Sequence, residues 1–78
     1  MEYVATFVSH YAAMRFARAL EGQGVPCRLR PVPRSLSSSC GTCAVFEGEN
    51  WDVGPRYGLE GIWKKEGERW IGLWRVTQ

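Results

Sequence analysis

The chain has 78 residues and a formal net charge of +2, and 45% of its residues are hydrophobic. A chain of this length is predicted to form a single domain over residues 1–78, which would bury only about 60% of its unfolded surface. The small charge predicts no basic face for nucleic acid, and no segment approaches the roughly 18 consecutive apolar residues that span a membrane. We therefore expect neither nucleic acid nor a membrane as a partner.

The N-terminal third of the sequence predicts a strand, a helix and a second strand. Residues 2–8 are β-branched and aromatic with apolar side chains on both faces, which is typical of an inner strand. Ser9 suits the N-cap of a helix from about His10 to Gly22. The apolar stripe of this helix has the spacing that lies on a sheet, and it consists of Ala13, Phe16, Ala17 and Leu20. Gly22 and Gly24 end the helix, and a second strand follows over residues 25–32.

The second strand carries Cys27 and ends in prolines. Cys27 and Leu29 share one face, and free cysteine is among the most buried residue types, so Cys27 is predicted to lie in the core. Pro31 and Pro33 cannot donate to a sheet, which places this strand at an edge or leaving the sheet. If the first two strands run parallel, His10 and Arg34 follow their ends at the same edge of the sheet.

The C-terminal half predicts a third strand and a hairpin. Residues 44–47 form a short strand, and residues 48–58 read as a turn-rich connection, so no second helix is expected after Phe46. A hairpin of residues 59–65 and 68–77 flanks a Glu66-Gly67 turn. That turn predicts three cross-strand pairs: Lys65 with Glu68, Trp63 with Trp70 and Ile62 with Ile71.

These elements predict an α+β sandwich with a sheet of about five strands and one main helix on one face. The other face needs cover. Either the tryptophans cover it within one chain, or they form an apolar patch that pairs with a second copy. The tryptophans are Trp51, Trp63, Trp70 and Trp74.

The segment from Pro33 to Cys43, PRSLSSSCGTC, is the strongest candidate for chemistry because it carries Cys40 and Cys43 at Cys-x-x-Cys spacing. Two thiols at this spacing can meet in one turn, so the second can attack a disulfide or adduct on the first. Amide groups of the serine-rich turn, and a cation such as Arg34, would favour the reactive thiolate. The same spacing also fits half of a zinc site, or a plain surface turn.

Cysteine usage and the N-terminus indicate a cytoplasmic protein. The start MEYVATFVSHYAA has neither a basic region nor a long apolar run. The chain has three cysteines, an odd count that leaves at least one thiol unpaired. Reduced thiols, metal binding and redox cycling are therefore the chemistries to consider.

The run TFVSHYAAMRFARALEGQGVPCRLRPVPRSLSSSCGTC resembles the selenium/sulfur carrier-like family of small bacterial proteins. That family is similar in having a strand that opens on a helix, a second strand ending in a Pro-x-Pro-Arg-like segment, then serines and a Cys-Gly pair. The resemblance covers roughly the first half to two-thirds of the chain, and SSSCG is its most specific part. It implies a ferredoxin-like fold and a carrier that holds selenium or sulfur on Cys40. The lack of a second helix after Phe46 departs from the family pattern.

Three functions are consistent with these residues. The first is a chalcogen carrier, in which Cys40 holds the cargo and Cys43 releases it by attacking Cys40. The second is a thiol-disulfide or redox-sensing module that uses the same pair. The third is a zinc site made of Cys27, Cys40, Cys43 and His10, although structural zinc usually draws its ligands as two close pairs.

The carrier is the favoured hypothesis, chiefly through the resemblance. Its reactive residues are Cys40 and Cys43, and its predicted substrate-binding residues are Arg34, Ser38, Ser39, Gly41 and His10. No carboxylate pair, Ser-His-Asp set or phosphate-binding glycine loop is present, so an enzyme is not expected. No cofactor or resident metal is predicted. The expected partners are donor and acceptor proteins for the chalcogen and, through the tryptophan-rich sheet, a second copy of the chain.

Overall fold

The computed structural model describes residues 1–76 and confirms the α+β class, with five strands and one helix in that part of the chain. The elements are β1 (Glu2–Phe7), α1 (His10–Gly22), β2 (Cys27–Pro31), β3 (Thr42–Glu47), β4 (Leu59–Glu66) and β5 (Arg69–Arg75). The predicted extension of the last strand to Thr77 lies outside the described residues. No helix of the described chain is long and apolar enough to cross a membrane.

The five strands form one sheet in the order β2-β3-β1-β4-β5, and every neighbouring pair is antiparallel. β1 and β2 therefore run parallel with β3 between them, which is the split βαβ arrangement of ferredoxin-like folds. Residues 48–58 connect β3 to β4 without a helix, as predicted. This topology brings the ends of β1, β2 and β5 and the starts of β3 and β4 to one edge of the sheet.

Helix α1 packs on one face of the sheet, called here the helix face. Ser9 is its N-cap, as predicted, and its Oγ accepts a hydrogen bond from the Ala12 amide at 3.1 Å. Past its end, Gly24 adopts a φ of +76°, a conformation that favours glycine. The buried core of this face consists of Tyr3, Ala5, Phe7, Ala12, Ala13, Phe16, Leu20, Ala44, Phe46, Leu59 and Ile62.

The connection over residues 48–58 packs against the helix-face core. Trp51 and Val53 from this connection pack against the core, and the Gln23 side chain donates to the Val53 carbonyl at 2.8 Å. Gly58 closes the connection with a φ of +65°, and a Cβ there would lie 2.5 Å from the Ala12 Cβ. The close approach explains why a glycine stands just before β4.

The opposite face of the sheet carries a second, smaller cluster. Its buried members are Val4, Leu36 and Cys43, and its half-buried members are Val32, Val45, Trp63 and Trp70. Trp63 and Trp70 thus cover this face together with Leu36, which comes from the loop between β2 and β3. Trp51 and Trp74 instead pack on the helix face. The four tryptophans are divided between the two faces.

The register of the β4-β5 hairpin differs from the prediction. The turn residues are Gly67 and Glu68, with Glu66 paired to Arg69 and Lys65 to Trp70. The predicted pairs of Lys65 with Glu68, Trp63 with Trp70 and Ile62 with Ile71 are therefore wrong. Gly67 has a φ of +62°, which suits the first central residue of a two-residue hairpin turn. The shift near the turn is two residues, so each side chain keeps its face.

A β-bulge next to Trp63 explains why the register shifts further along the hairpin. Trp63 pairs with Gly72, and the pairing shifts between Ile62 and Trp63. The Trp63 ring covers Gly61 and Gly72, where an added Cβ would lie 3.0 Å and 3.2 Å from ring atoms. The two glycines leave the space that this large ring occupies on the opposite face.

Candidate functional site

The two cysteines of the Cys-x-x-Cys segment lie in different environments. Strand β3 begins at Thr42, two residues earlier than predicted, so Cys43 belongs to the strand and not to the turn. Cys43 is only 1% exposed, belongs to the opposite-face cluster, and its Sγ donates to the Pro31 carbonyl at 3.7 Å. Burial raises the pKa of the Cys43 thiol, and the nearby Cys40 raises it further. The expectation that both thiols share one turn is wrong.

Cys40 lies in the loop that precedes β3 and is half-buried. It packs against the helix-face core, and its Sγ donates to the Thr42 carbonyl at 3.3 Å. Cys40 and Cys43 therefore pack against clusters on opposite faces of the sheet, and both are free thiols. This placement leaves Cys40 as the more accessible thiol of the pair.

The segment from Val32 to Gly41, called here the Cys40 loop, wraps around the edge of the sheet. Its two ends are joined by a hydrogen bond of 3.0 Å from the Val32 amide to the Gly41 carbonyl. A turn follows Pro33, whose carbonyl accepts from the Leu36 amide at 3.0 Å, and Leu36 is buried on the opposite face. The loop then crosses the edge and places Cys40 on the helix face.

Glu60 holds the loop just before Cys40, and it was not among the predicted site residues. Its carboxylate accepts hydrogen bonds from Ser38 Oγ at 2.8 Å, from the Ser39 amide at 3.1 Å and from Ser39 Oγ. Ser38 Oγ also lies 3.2 Å from the Phe7 carbonyl. The signal for Glu60 in the sequence is slight: a single carboxylate within an otherwise uncharged stretch of β4, LEGIW.

The other predicted binding residues lie around the loop in different ways. His10 is exposed at the start of α1, and its Nδ1 is 3.2 Å from Thr42 Oγ1, so the helix start does meet the segment between the two cysteines. Arg34 is exposed in the turn and takes part in no ion pair of the described chain. At Gly41 an added Cβ would meet nothing within 4 Å. The fold therefore does not require glycine beside Cys40.

The residues of the predicted zinc site do not assemble. Within residues 1–76, no group of three or more His, Cys, Asp or Glu side chains is placed to hold a metal ion. Cys27 lies half-buried on the edge strand β2, where it lines a groove of about 540 Å³ between α1 and β2. Burial raises the pKa of the Cys27 thiol. Cys27 is thus half-buried at the margin of the core and belongs to no metal-binding group of the described residues.

A second groove, of about 410 Å³, lies beside the loop on the opposite face. Its lining is mixed in polarity and includes Thr6, Ser37, Ser39, Glu60, Trp63 and Arg75. Thr6 is fully buried and its hydroxyl accepts from the Trp63 indole at 3.0 Å. The groove is lined by the residue before Cys40 and not by Cys40 itself.

The fold and site together define a small α+β domain that presents the half-buried thiol of Cys40 on an anchored loop. Such an arrangement suits chemistry that needs a single thiol, such as the transfer of a group to and from its sulfur. Formation of a disulfide with Cys43 would require the two thiols to leave clusters on opposite faces of the sheet.

The chain belongs to the family described as "Putative Se/S carrier protein-like", whose model matches residues 2–52. The match includes β1, α1, β2, the Cys40 loop and β3, and it ends before the β4-β5 hairpin. The family predicted from the SSSCG segment is confirmed. No curated protein and no solved structure matches the chain.

Proposed function

We propose that the protein is a carrier that holds a sulfur or selenium atom on the Cys40 sulfur and passes it to a partner protein. The observation that carries this proposal is the position of Cys40, half-buried on a loop whose preceding residues are bonded to Glu60. The thiol is accessible enough to react, and the packing around it limits contact of a bound chalcogen with water. Family membership supports the same role.

Loading and release can both proceed by exchange at one thiol. In loading, the Cys40 thiolate attacks the terminal sulfur of a donor persulfide, a new S–S bond forms on Cys40, and the donor leaves as a thiolate. In release, an acceptor thiolate attacks that terminal sulfur, and Cys40 leaves as a thiolate. The chalcogen keeps its oxidation state throughout, so the cycle needs no reductant. A selenium atom would follow the same sequence of bonds.

This scheme assigns no releasing role to Cys43, in contrast to the interpretation of the sequence. The burial of Cys43 and the raised pKa of its thiol both oppose its action as an attacking thiolate at neutral pH. We propose instead that Cys43 is a packing residue of the opposite face. The protein then acts as a carrier and not as an enzyme, with donor and acceptor proteins as its partners.

Intact-protein mass spectrometry tests the carrier after incubation with a small-molecule persulfide donor and removal of the excess. Wild type should gain the mass of one sulfur atom, and Cys40→Ser should gain none. Cys27→Ser is the matched control, because Cys27 is also half-buried and packs on the helix-face core. Cys43→Ala should load as wild type does and lose its sulfur to added thiol at the same rate.

Other outcomes of this experiment would favour the other functions. A loss of two hydrogens under oxidant, with no sulfur adduct on any variant, would replace the carrier by a thiol-disulfide module. A slower loss of cargo from Cys43→Ala would restore the releasing role of Cys43. Cytoplasmic location and homodimer formation stay predictions; fractionation of cells tests the first, and sedimentation of the purified protein tests the second.

A further inference from the structure

We infer that the β4-β5 hairpin is part of the carrier site and that Glu60 is the positioning residue that holds the Cys40 loop. The hairpin lies beyond the part of the chain that the family model matches. The inference rests on the proposed carrier function for its purpose, although the anchoring itself can be tested without any chalcogen. Its basis is a set of contacts that begin at Ser35 and end at the residue before Cys40.

The hairpin holds the first half of the loop through its tryptophans. The Trp70 indole donates to Ser35 Oγ at 2.8 Å. Leu36, the next residue, is buried in the cluster that includes Trp63 and Trp70. A buried leucine is costly to displace, and the exposed indole hydrogen bond fixes the position of Ser35 beside it. This end of the loop is therefore fixed to the opposite face of the sheet.

Glu60 holds the second half of the loop through three donors. They are Ser38 Oγ, the Ser39 amide and Ser39 Oγ, and all three reach one carboxylate. Hydrogen bonds to an ionised acceptor are stronger than those between neutral groups. Because Ser39 directly precedes Cys40 in the chain, these contacts fix the position of the Cys40 backbone.

The backbone of Glu60 is held by strand pairing on both sides of this residue. Its carbonyl accepts from the Val76 amide at 2.9 Å, and the next residue, Gly61, pairs with β1 on one side and β5 on the other. A carboxylate repels a neighbouring thiolate, so activation of Cys40 is not what Glu60 provides. Its contribution is geometric: it keeps the thiol packed at the helix face and presented in one orientation.

The test compares the alkylation rates of Cys40 and Cys27 in the same molecule, resolved by peptide mapping. Cys27 serves as the internal reference because it is half-buried like Cys40 and lies on strand β2, outside the segment that is bonded to the hairpin. Glu60→Ala should raise the Cys40 to Cys27 ratio roughly tenfold, since the lost bonds to a charged acceptor no longer hold the loop closed. Glu60→Gln, which keeps one acceptor oxygen, should give a smaller rise. Hydrogen exchange of the Ser39 amide should accelerate in the same order.

A second variant separates anchoring from charge. Ser38→Ala combined with Ser39→Ala removes both hydroxyl donors and keeps the Glu60 carboxylate, so it should also raise the ratio. Glu68→Gln is the matched control for the loss of one carboxylate, because Glu68 is exposed at the hairpin turn. It should leave the ratio unchanged. The serine variant changes loop residues only and so keeps the test informative even if Glu60→Ala does not fold.

Three results would overturn the inference. The first is an unchanged Cys40 to Cys27 ratio in both the Glu60 and serine variants. The second is a faster reaction of all three cysteines together, which indicates a general loss of stability. The third is a rise with Glu60→Gln and none with the serine variant, which assigns the effect to charge. If the ratio rises as expected and wild type takes up no sulfur, the positioning role of Glu60 is supported and the proposed carrier function is wrong.

Discussion

The two faces of the sheet are built in different ways, and the difference separates stability from the placement of the reactive loop. On the helix face, the rings of Phe7 and Phe46 each contact Phe16 edge to face, with centroids 5.2 Å and 5.5 Å apart. On the opposite face, Leu36 is the buried contribution of the loop, and two half-buried tryptophans extend over the strands. The first face is a conventional aromatic core. The second is the surface on which the Cys40 loop packs.

The largest effect is expected from removing a ring of the helix face. Phe16→Ala should lower the free energy of unfolding by about 3–5 kcal/mol, because a fully buried ring leaves a cavity. Leu36→Ala should cost about 2–3 kcal/mol, at the lower end of the range for a buried aliphatic side chain. Urea titration followed by tryptophan fluorescence measures both. Equal losses would mean that the two faces contribute alike and would break the distinction.

Substitution of the two cysteines tests the same difference between the faces, with smaller expected changes in stability. Cys43→Ser places a hydroxyl in the buried opposite-face cluster and should cost about 1–3 kcal/mol. Cys40→Ser should change stability by less than about 0.5 kcal/mol, because the half-buried site can hydrate a hydroxyl. Urea titration of the two variants beside Cys43→Ala separates the hydroxyl penalty from lost packing. A larger loss from Cys40→Ser would show that the loop, and not the strand, needs its thiol.

The sequence was sufficient to predict the order of elements, because each one has a local signal. Ser9 before an amphipathic run, and Gly24 after it, set the limits of α1 within the chain itself. The missing second helix was likewise visible in the turn-rich residues 48–58. The family followed from the SSSCG segment, whose residue types are specific. These features depend on residues close together in the chain, so the sequence alone is enough to predict them.

The parts that the sequence did not predict depend on contacts between distant residues. Cys-x-x-Cys spacing permits two thiols in one turn, but β3 begins at Thr42 because the segment pairs with β1 and β2, and this pairing buries Cys43. Glu60 lies 21 positions from Ser39, so no local pattern links them. The hairpin register likewise depends on Gly67 and on the space that the Trp63 ring needs.

The smallest effect on stability is expected in alkaline solution, where the buried Cys43 thiol ionises. The pKa of the Cys43 thiol is raised in the folded protein, so above the ordinary thiol pKa of about 8.5 the unfolded chain binds fewer protons than the folded one. This contribution to stability is complete below that pH and is lost as pH rises through the folded pKa of Cys43. Urea titrations should therefore show a lower free energy of unfolding at alkaline pH than at neutral pH.

Variants show which thiol causes the fall in the free energy of unfolding, measured as its slope against pH. Cys43→Ala should reduce the slope, and Cys27→Ala should reduce it as well, because burial also raises the pKa of the Cys27 thiol. Cys40→Ala should reduce it slightly, because the nearby Cys40 contributes to the raised pKa of the Cys43 thiol. If neither Cys43→Ala nor Cys27→Ala reduces the slope, these two thiols are not the groups that folding protects from ionisation, and the burial assigned to Cys43 is contradicted.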